Sequence, residues 1–226
     1  MKAVLFDLDG TLLDRDRSLK QFVEVQYDRL ADDLGHVQKA SYVARFIELD
    51  CRGQVWKDKV YQTLVEEFDL SGVTWQMLLE DYITEFQRHC IPFRGMVVML
   101  NELKQRNYLL AVVTNGRSEF QRRSISGLGI QNDLDVVLVS EEEQIRKPQV
   151  EIFQRAVNRL AVRASESVFV GDNPEADITG AKNAGMKTIW KRNPYGSADR
   201  KADAVIDELD EIPHILELFD QKDPLS

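Results

Sequence analysis

Cysteine is nearly absent: Cys51 and Cys90 are the whole supply in 226 residues. Two are too few for a disulfide framework and show no metal-ligand spacing, so free thiols in a reducing cytoplasm are expected. Histidine is equally sparse, and His36, His89 and His214 are scattered enough to read as surface or packing residues. No apolar run approaches the length that spans a bilayer. The N-terminus enters a strand almost at once and shows no secretory signal pattern. Positive charge is short as well, since 29 Lys and Arg face 38 Asp and Glu for a net charge of -9. That balance argues against a generic nucleic-acid or anionic-membrane binder. Internal repeats and low-complexity segments are missing too. What remains is 43% hydrophobic and 30% charged residues, ordinary for a soluble globular protein of one domain, or one domain with an insert.

Residues 4 to 14 read Val-Leu-Phe-Asp-Leu-Asp-Gly-Thr-Leu-Leu-Asp. A continuous apolar strand, Ala3 to Phe6, ends in Asp7 and Asp9, followed by the turn-former Gly10. Open α/β sheets place their ligands at the carboxyl ends of such buried strands. Two carboxylates this close repel unless a cation or a shared proton relieves them. Mg²⁺, a hard ion that takes oxygen ligands, is the economical solution. One Asp can then attack an electrophile while the other shuttles a proton. Asp-Gly alone would suit a plain polar turn, but Asp-x-Asp-Gly-Thr directly after a strand is a far more specific pattern.

Further strand-like runs are Leu109–Thr114, Val136–Val139, Val168–Val170 and Thr188–Trp190, with a short last strand at Ala204–Ile206. Helical stretches separate them at Ser118–Ser126, Gln149–Leu160 and Glu175–Asn183, and Ile212–Phe219 closes the chain. Alternation of this kind predicts a parallel sheet wrapped by helices on both faces, with strand ends gathered along one edge. Residues 15–91 behave differently. Apolar sets at helical spacing around Leu19–Leu30, Val43–Leu49, Val60–Phe68 and Met77–Phe86, with no alternating strand between them, predict a four-helix insert. Pro92 and Gly95 mark the return to the core. The expected organisation is therefore a Rossmann-like core of residues 1–14 and 92–226 with a helical domain of residues 15–91. Asn193–Asp203 reads as an exposed loop.

Other strand ends carry candidate chemistry. Thr114 and Asn115, beside Gly116, offer a hydroxyl and an amide that can bind phosphate oxygens, although Asn115 or Ser118 would equally serve as a helix cap. In Arg146-Lys147-Pro148, Pro148 suits a first helical position and sets Lys147 at the helix entrance, where it can neutralise a carboxylate and a phosphoryl group. A solvated lysine is the plain alternative. Gly171-Asp172-Asn173-Pro174-Glu175-Ala176-Asp177 repeats the strand-to-acid pattern. Asp172 is read as a metal ligand with Asp7 and the Asp9 carbonyl. Asp177 either supports that metal or caps the helix that follows. Together the roles fit phosphoryl transfer, with Asp7 attacking phosphorus and Asp9 protonating the leaving oxygen. Lys147, Thr114 and the metal spread the charge.

With these motifs in order, the chain resembles the haloacid dehalogenase superfamily, in the helical-cap class of its phosphatases. The resemblance runs from the first strand to the final helix, through Asp7-Leu8-Asp9-Gly10-Thr11, Thr114-Asn115, Lys147, and Gly171-Asp172 with Asp177. It implies Asp7 as nucleophile, Asp9 as general acid/base, Thr114 and Lys147 as phosphate-binding groups, and Mg²⁺ held at Asp7, Asp9, Asp172 and Asp177. The substrate implied is a small phosphorylated metabolite such as a nucleotide, phosphoglycolate or a sugar phosphate, handled by a monomer or homodimer. Phosphosugar mutases share the motifs, phosphonate-cleaving members add a lysine for which Lys57 and Lys59 are candidates, and a silent binding protein is a further alternative. Asp9 sets the chain apart from the true dehalogenases, which lack that second acid. Arg52, in Arg52-Gly53-Gln54 between two insert helices, is a candidate for a substrate carboxylate or second phosphate; a surface arginine is the plain reading of it, as of Arg94.

Overall fold

Six strands form one parallel sheet among the described residues of the computed structural model, which are 1–194 and 202–222. The strands are β1 (Ala3–Phe6), β2 (Leu109–Thr114), β3 (Val136–Val139), β4 (Ser167–Gly171), β5 (Lys187–Lys191) and β6 (Ala204–Ile206), in the order β3-β2-β1-β4-β5-β6. In-register parallel pairing sets Leu5 between Ala111 and Phe169, so alternate residues face opposite layers. On one face Leu5, Ala111, Val113 and Phe169 pack against Ile152, Phe153, Ala156 and Val157 of the helix Val150–Arg159. The residues between them, including Val4, Phe6, Val112, Val168 and Val170, are fully buried as well. Burial on both faces is why these strands read as unbroken apolar runs, and the expected sheet is present. The chain moves outward from β1 to β2 and β3, then returns past β1 to build β4, β5 and β6. The sheet therefore reverses direction beside β1, where such sheets bind ligands.

The chain divides into two compact units, Met1–Asp14 with Pro92–Ser226, and Arg15–Ile91. The second holds helices Arg15–Arg29, Lys39–Asp50, Lys57–Glu67 and Trp75–Glu85, with a single turn at Ala31–Leu34. Leu19, Phe22, Val23 and Gln26 lie along one buried stripe, the i, i+3, i+4, i+7 spacing of an amphipathic helix. Phe22 meets Tyr82 edge-on at 5.3 Å, and Tyr82 meets Phe86 at the same distance. Polar groups finish the stripes. Gln26 donates to the Leu78 carbonyl (3.1 Å) and accepts from Tyr61 Oη (2.8 Å). Asp50 binds the Arg15 guanidinium (2.8 Å) and is ion-paired to the buried Lys57. Burial alone would raise Asp50, but Arg15 and Lys57 outweigh it and hold the carboxyl below its usual range.

Several expectations fail in detail. Ile47 and Met77, counted within the apolar sets, are exposed, because the buried stripe of Trp75–Glu85 is Leu78 and Tyr82. Met96–Gln105 is a helix that the sequence reading does not mark. Pro148 is not the first helical residue: the helix starts at Val150, and Lys147-Pro148 is a cis peptide in the preceding turn. Most of the loop reading at Asn193–Asp203 lies outside the described residues.

Candidate active site

Asp7 follows β1 and extends its ladder by one step, donating its N–H to the Val170 carbonyl of β4 at 2.9 Å. Its side chain is buried at the carboxyl edge of the sheet. The chain then coils tightly, with the Leu8 carbonyl accepting from Leu12 (3.0 Å) and Leu13 (2.9 Å). Gly10 makes this coil possible. Its φ is +85°, and a Cβ there would lie 2.6 Å from Asp172 Oδ2, so both the left-handed backbone and the close approach require glycine. The coil leaves Asp9 partly exposed, its Oδ2 accepting from Gln121 Nε2 at 2.8 Å.

Lys147 is 3% exposed and lies between two carboxylates, its Nζ 2.6 Å from Asp7 Oδ1 and 2.7 Å from Asp177 Oδ1. Its main chain is clasped by Asn115, which accepts from the Lys147 N–H at 2.9 Å and donates to the Lys147 carbonyl at 3.0 Å. Both ends of the Asn115 amide are thus engaged, and neither caps the helix Ser118–Gly127. Thr114 ends β2 fully buried, and its Oγ1, like that of Thr11, has no hydrogen-bond partner among the described residues. Buried hydroxyls without partners are costly unless a ligand completes them.

Asp172 follows β4. Its carbonyl accepts from Trp190 Nε1 (2.8 Å) and Asn193 Nδ2 (3.0 Å), and Asn193 also reaches its Oδ2 at 3.0 Å. Asp177 makes contacts of two kinds. Its Oδ2 accepts from the Asn173 N–H at 2.9 Å, tying down the start of the π-helical segment Pro174–Thr179, while Oδ1 faces Lys147. Oxygens of Asp7, Asp172 and Asp177 lie within 4.8 Å of one another.

Three carboxylates around one ammonium leave the pocket short of positive charge. Burial pushes Asp7 well above the usual carboxylate range; Lys147 opposes this, and Asp177 and Asp172 add to it. Asp172 is pushed up to about 6, first by burial and then by Asp177, against the pull of Asn193 and Lys147. Burial would lower Lys147, but Asp177 and Asp7 outweigh it and keep the ammonium charged. Such a site binds a proton or a cation. An all-oxygen donor set with excess negative charge suits a hard divalent ion, and the residues present fit Mg²⁺. A cavity of about 650 Å³ opens beside Lys147, between Asn115, Pro148 and Asn173.

Of the residues selected from sequence, Asp7, Asp172, Asp177 and Lys147 come together in one cluster, with Asp9, Thr114 and Asn115 on the adjoining strand ends. Arg52 belongs to the helical unit, exposed and in a left-handed conformation (φ 57°). The sequence does not mark Gln121, Asn193 or Trp190 as site residues. Gln121 did carry a signal: it is a polar residue on the buried stripe of its helix, beside Phe120, Ser124 and Ile125.

Residues 4–191 match the family model described as haloacid dehalogenase-like hydrolase. A phosphoserine phosphatase of Thermus thermophilus is 27% identical over 220 residues, covering 84% of this chain and 88% of its own. Human N-acylneuraminate-9-phosphatase is 27% identical over 250 residues, covering 100% of this chain and 98% of its own. Among solved structures, a phosphatase of this family from Thermococcus onnurineus superposes with a TM-score of 0.68 at 30% identity, over 96% of this chain and 98% of its own.

Proposed function

The chain belongs to the haloacid dehalogenase-like hydrolases, and from that premise we propose that it is a Mg²⁺-dependent phosphatase of small phosphomonoesters working through an aspartyl-phosphate. The observation that carries this reading is the cluster of Asp7, Asp172 and Asp177, with the buried Lys147 between Asp7 and Asp177. A merely structural site has no reason to crowd three carboxylates around one ammonium. The phosphatase activities named for the relatives support the same reaction class.

The Asp7 carboxylate attacks phosphorus, the ester P–O bond breaks, and the departing alkoxide takes a proton from Asp9. Water then attacks the phosphorus of the aspartyl-phosphate, yields its proton to Asp9, and Asp7 leaves as carboxylate. Lys147 touches Asp7 and favours its ionised form, opposing the upward push of burial, and its charge also draws phosphoryl oxygens toward the nucleophile. The Thr114 hydroxyl supplies a neutral donor at the end of β2. Asn115 fixes the loop from which Lys147 extends, a positioning task. Mg²⁺, held by Asp7, Asp172 and the Asp9 carbonyl with Asp177 in support, would offset the carboxylates and clamp the phosphoryl oxygens.

The helical unit Arg15–Ile91 serves in this reading as the cap domain that selects the substrate, with Arg52 as a candidate anion contact. Asp50 accepts from the Gly53 N–H at 2.8 Å and so braces the turn that presents Arg52. Lys57, a candidate amine nucleophile for phosphonate cleavage, is buried against Asp50 instead, which speaks against that chemistry.

The test is phosphate release from p-nitrophenyl phosphate and a panel of natural phosphate esters, with Mg²⁺ or EDTA. Turnover that needs Mg²⁺ and disappears in Asp7→Asn is the expected result. Absence of turnover on every ester by the folded, Mg²⁺-loaded protein would defeat the proposal. A panel ranking unchanged by Arg52→Ala would remove Arg52 from substrate selection.

A further inference from the structure

Gln121 is 3% exposed on the helix Ser118–Gly127, a position where apolar residues are the norm. Its Nε2 donates to Asp9 Oδ2 at 2.8 Å and to the Asn115 carbonyl at 3.2 Å. Both neighbours are acceptors, so the amide can sit only with its nitrogen toward them. Its Oε1 is buried with no hydrogen-bond partner among the described residues. A glutamine serving stability alone would be expected to satisfy both ends. Gly116 gives the amide its room, since a Cβ there would lie 2.5 Å from Gln121 Nε2.

We infer that Gln121 is a positioning residue that orients the Asp9 carboxyl for proton transfer. The inference rests on the proposed role of Asp9 as general acid and base. A carboxylic acid has two oxygens and two proton geometries, and only one of them points at the leaving group. The N–H of Gln121 occupies Oδ2 as an acceptor, so the acidic proton rides on Oδ1. When the ester P–O bond breaks, that proton passes from Oδ1 to the departing alkoxide. In the second step water attacks the aspartyl-phosphate and returns a proton to the same oxygen. The second N–H of Gln121, bound to Asn115, ties this orientation to the loop that also clasps Lys147.

The readout is the dependence of kcat/KM on the leaving group, because kcat/KM ends at the first irreversible step, the departure of the alcohol. p-Nitrophenolate leaves without a proton, whereas an alkoxide needs one. Gln121→Met keeps the length and removes the donor. It is expected to lower kcat/KM by about 10- to 100-fold for an alkyl phosphate and by less than about threefold for p-nitrophenyl phosphate. Acid-quenched samples turning over p-nitrophenyl phosphate should also hold more aspartyl-phosphate than wild type, because the water-activating step slows. Should Gln121→Met fail to fold by circular dichroism, Gln121→Leu, which also lacks the N–H donors and adds no charge, takes its place with the same expected selectivity. Equal losses on both substrates, or none on either, overturn the inference. Asp9→Asn is the control that separates the two readings. If it discriminates between the substrates and the Gln121 variant does not, the positioning role alone is wrong. If Asp9→Asn does not discriminate either, the acid role of Asp9 fails and the inference falls with it.

Discussion

Replacing Asp172 by Asn should stabilise the metal-free protein at neutral pH. The folded protein holds the Asp172 carboxyl at about 6, against an ordinary 3.8, chiefly through burial and then through Asp177. Between those values the folded chain binds more protons than the unfolded chain, so stability falls as pH rises through this window. The gap between those two values corresponds to roughly 3 kcal/mol lost above pH 6. For a domain of this size that is about 6–12 °C in Tm. Asn keeps the shape, cannot ionise, and retains an oxygen to accept from Asn193. In EDTA at pH 8 the variant should therefore melt several degrees above wild type, and the two should converge near pH 4. Glu142, Glu143, Glu166 and Asp50, all held below their ordinary values, act in the opposite sense at lower pH. They cancel in the difference between variant and wild type. Saturating Mg²⁺ should raise wild type more at pH 8 than at pH 5, since binding requires ionised carboxylates, and should leave the variant nearly unmoved. An Asp172→Asn protein less stable than wild type in EDTA at pH 8 would refute the electrostatic account of the cluster.

Three more perturbations probe the surrounding scaffold. Gly10→Ala places a Cβ 2.6 Å from Asp172 Oδ2 on a backbone with φ +85°; it should abolish the Mg²⁺-dependent rise in Tm and cost about 1–3 kcal/mol of stability, read by calorimetry. Asn115→Ala removes both side-chain hydrogen bonds to the Lys147 main chain, so kcat/KM should fall about tenfold or more through misplacement of a charged group, with about 1–3 kcal/mol of stability lost to the orphaned main-chain groups. Asp50→Ala leaves the buried Lys57 without its carboxylate; loss of one partner of a buried pair costs about 3–5 kcal/mol, and urea denaturation should show the helical unit unfolding earlier.

The sheet was legible because its central strands are buried on both faces, which turns β1, β2 and β4 into nearly unbroken apolar runs. The missed helix, Met96–Gln105, fails for a related reason. Its buried residues Met96, Met99, Leu100 and Leu103 have good helical spacing, but exposed Val97 and Val98 fill the gap between them. The result, Met-Val-Val-Met-Leu, hides the period. Pro148 misled in another way. Proline favours the first turn of a helix, yet the preceding Lys147 must turn its ammonium inward between Asp7 and Asp177, and the helix begins only at Val150.

Within the site, the charged groups and the strand-end pair Thr114 and Asn115 were readable, but the task of Asn115 and the presence of Gln121 were not. Placing Asp7, Lys147 and Asp177 in a buried cluster costs far more than local structure returns, so the pattern of acids at strand ends is itself a statement about chemistry. An amide carries no such cost. Asn115 beside a strand end passes for a helix cap, and Gln121 passes for a helical surface residue, because glutamine is a good helix former. Gln121 reaches Asp9 across 112 positions of sequence, and no local rule couples them. The contact exists only because the helix after β2 starts on the same sheet edge where β1 ends. The order of strands places charged groups from separate segments along one edge, and the amides of the intervening helices and loops determine which way those charges point. Substitutions at Asn115 and Gln121 should therefore alter the chemistry of residues that remain in place, a pattern that separates the leaving-group dependence of Gln121→Met from the outright loss expected of Asp7→Asn.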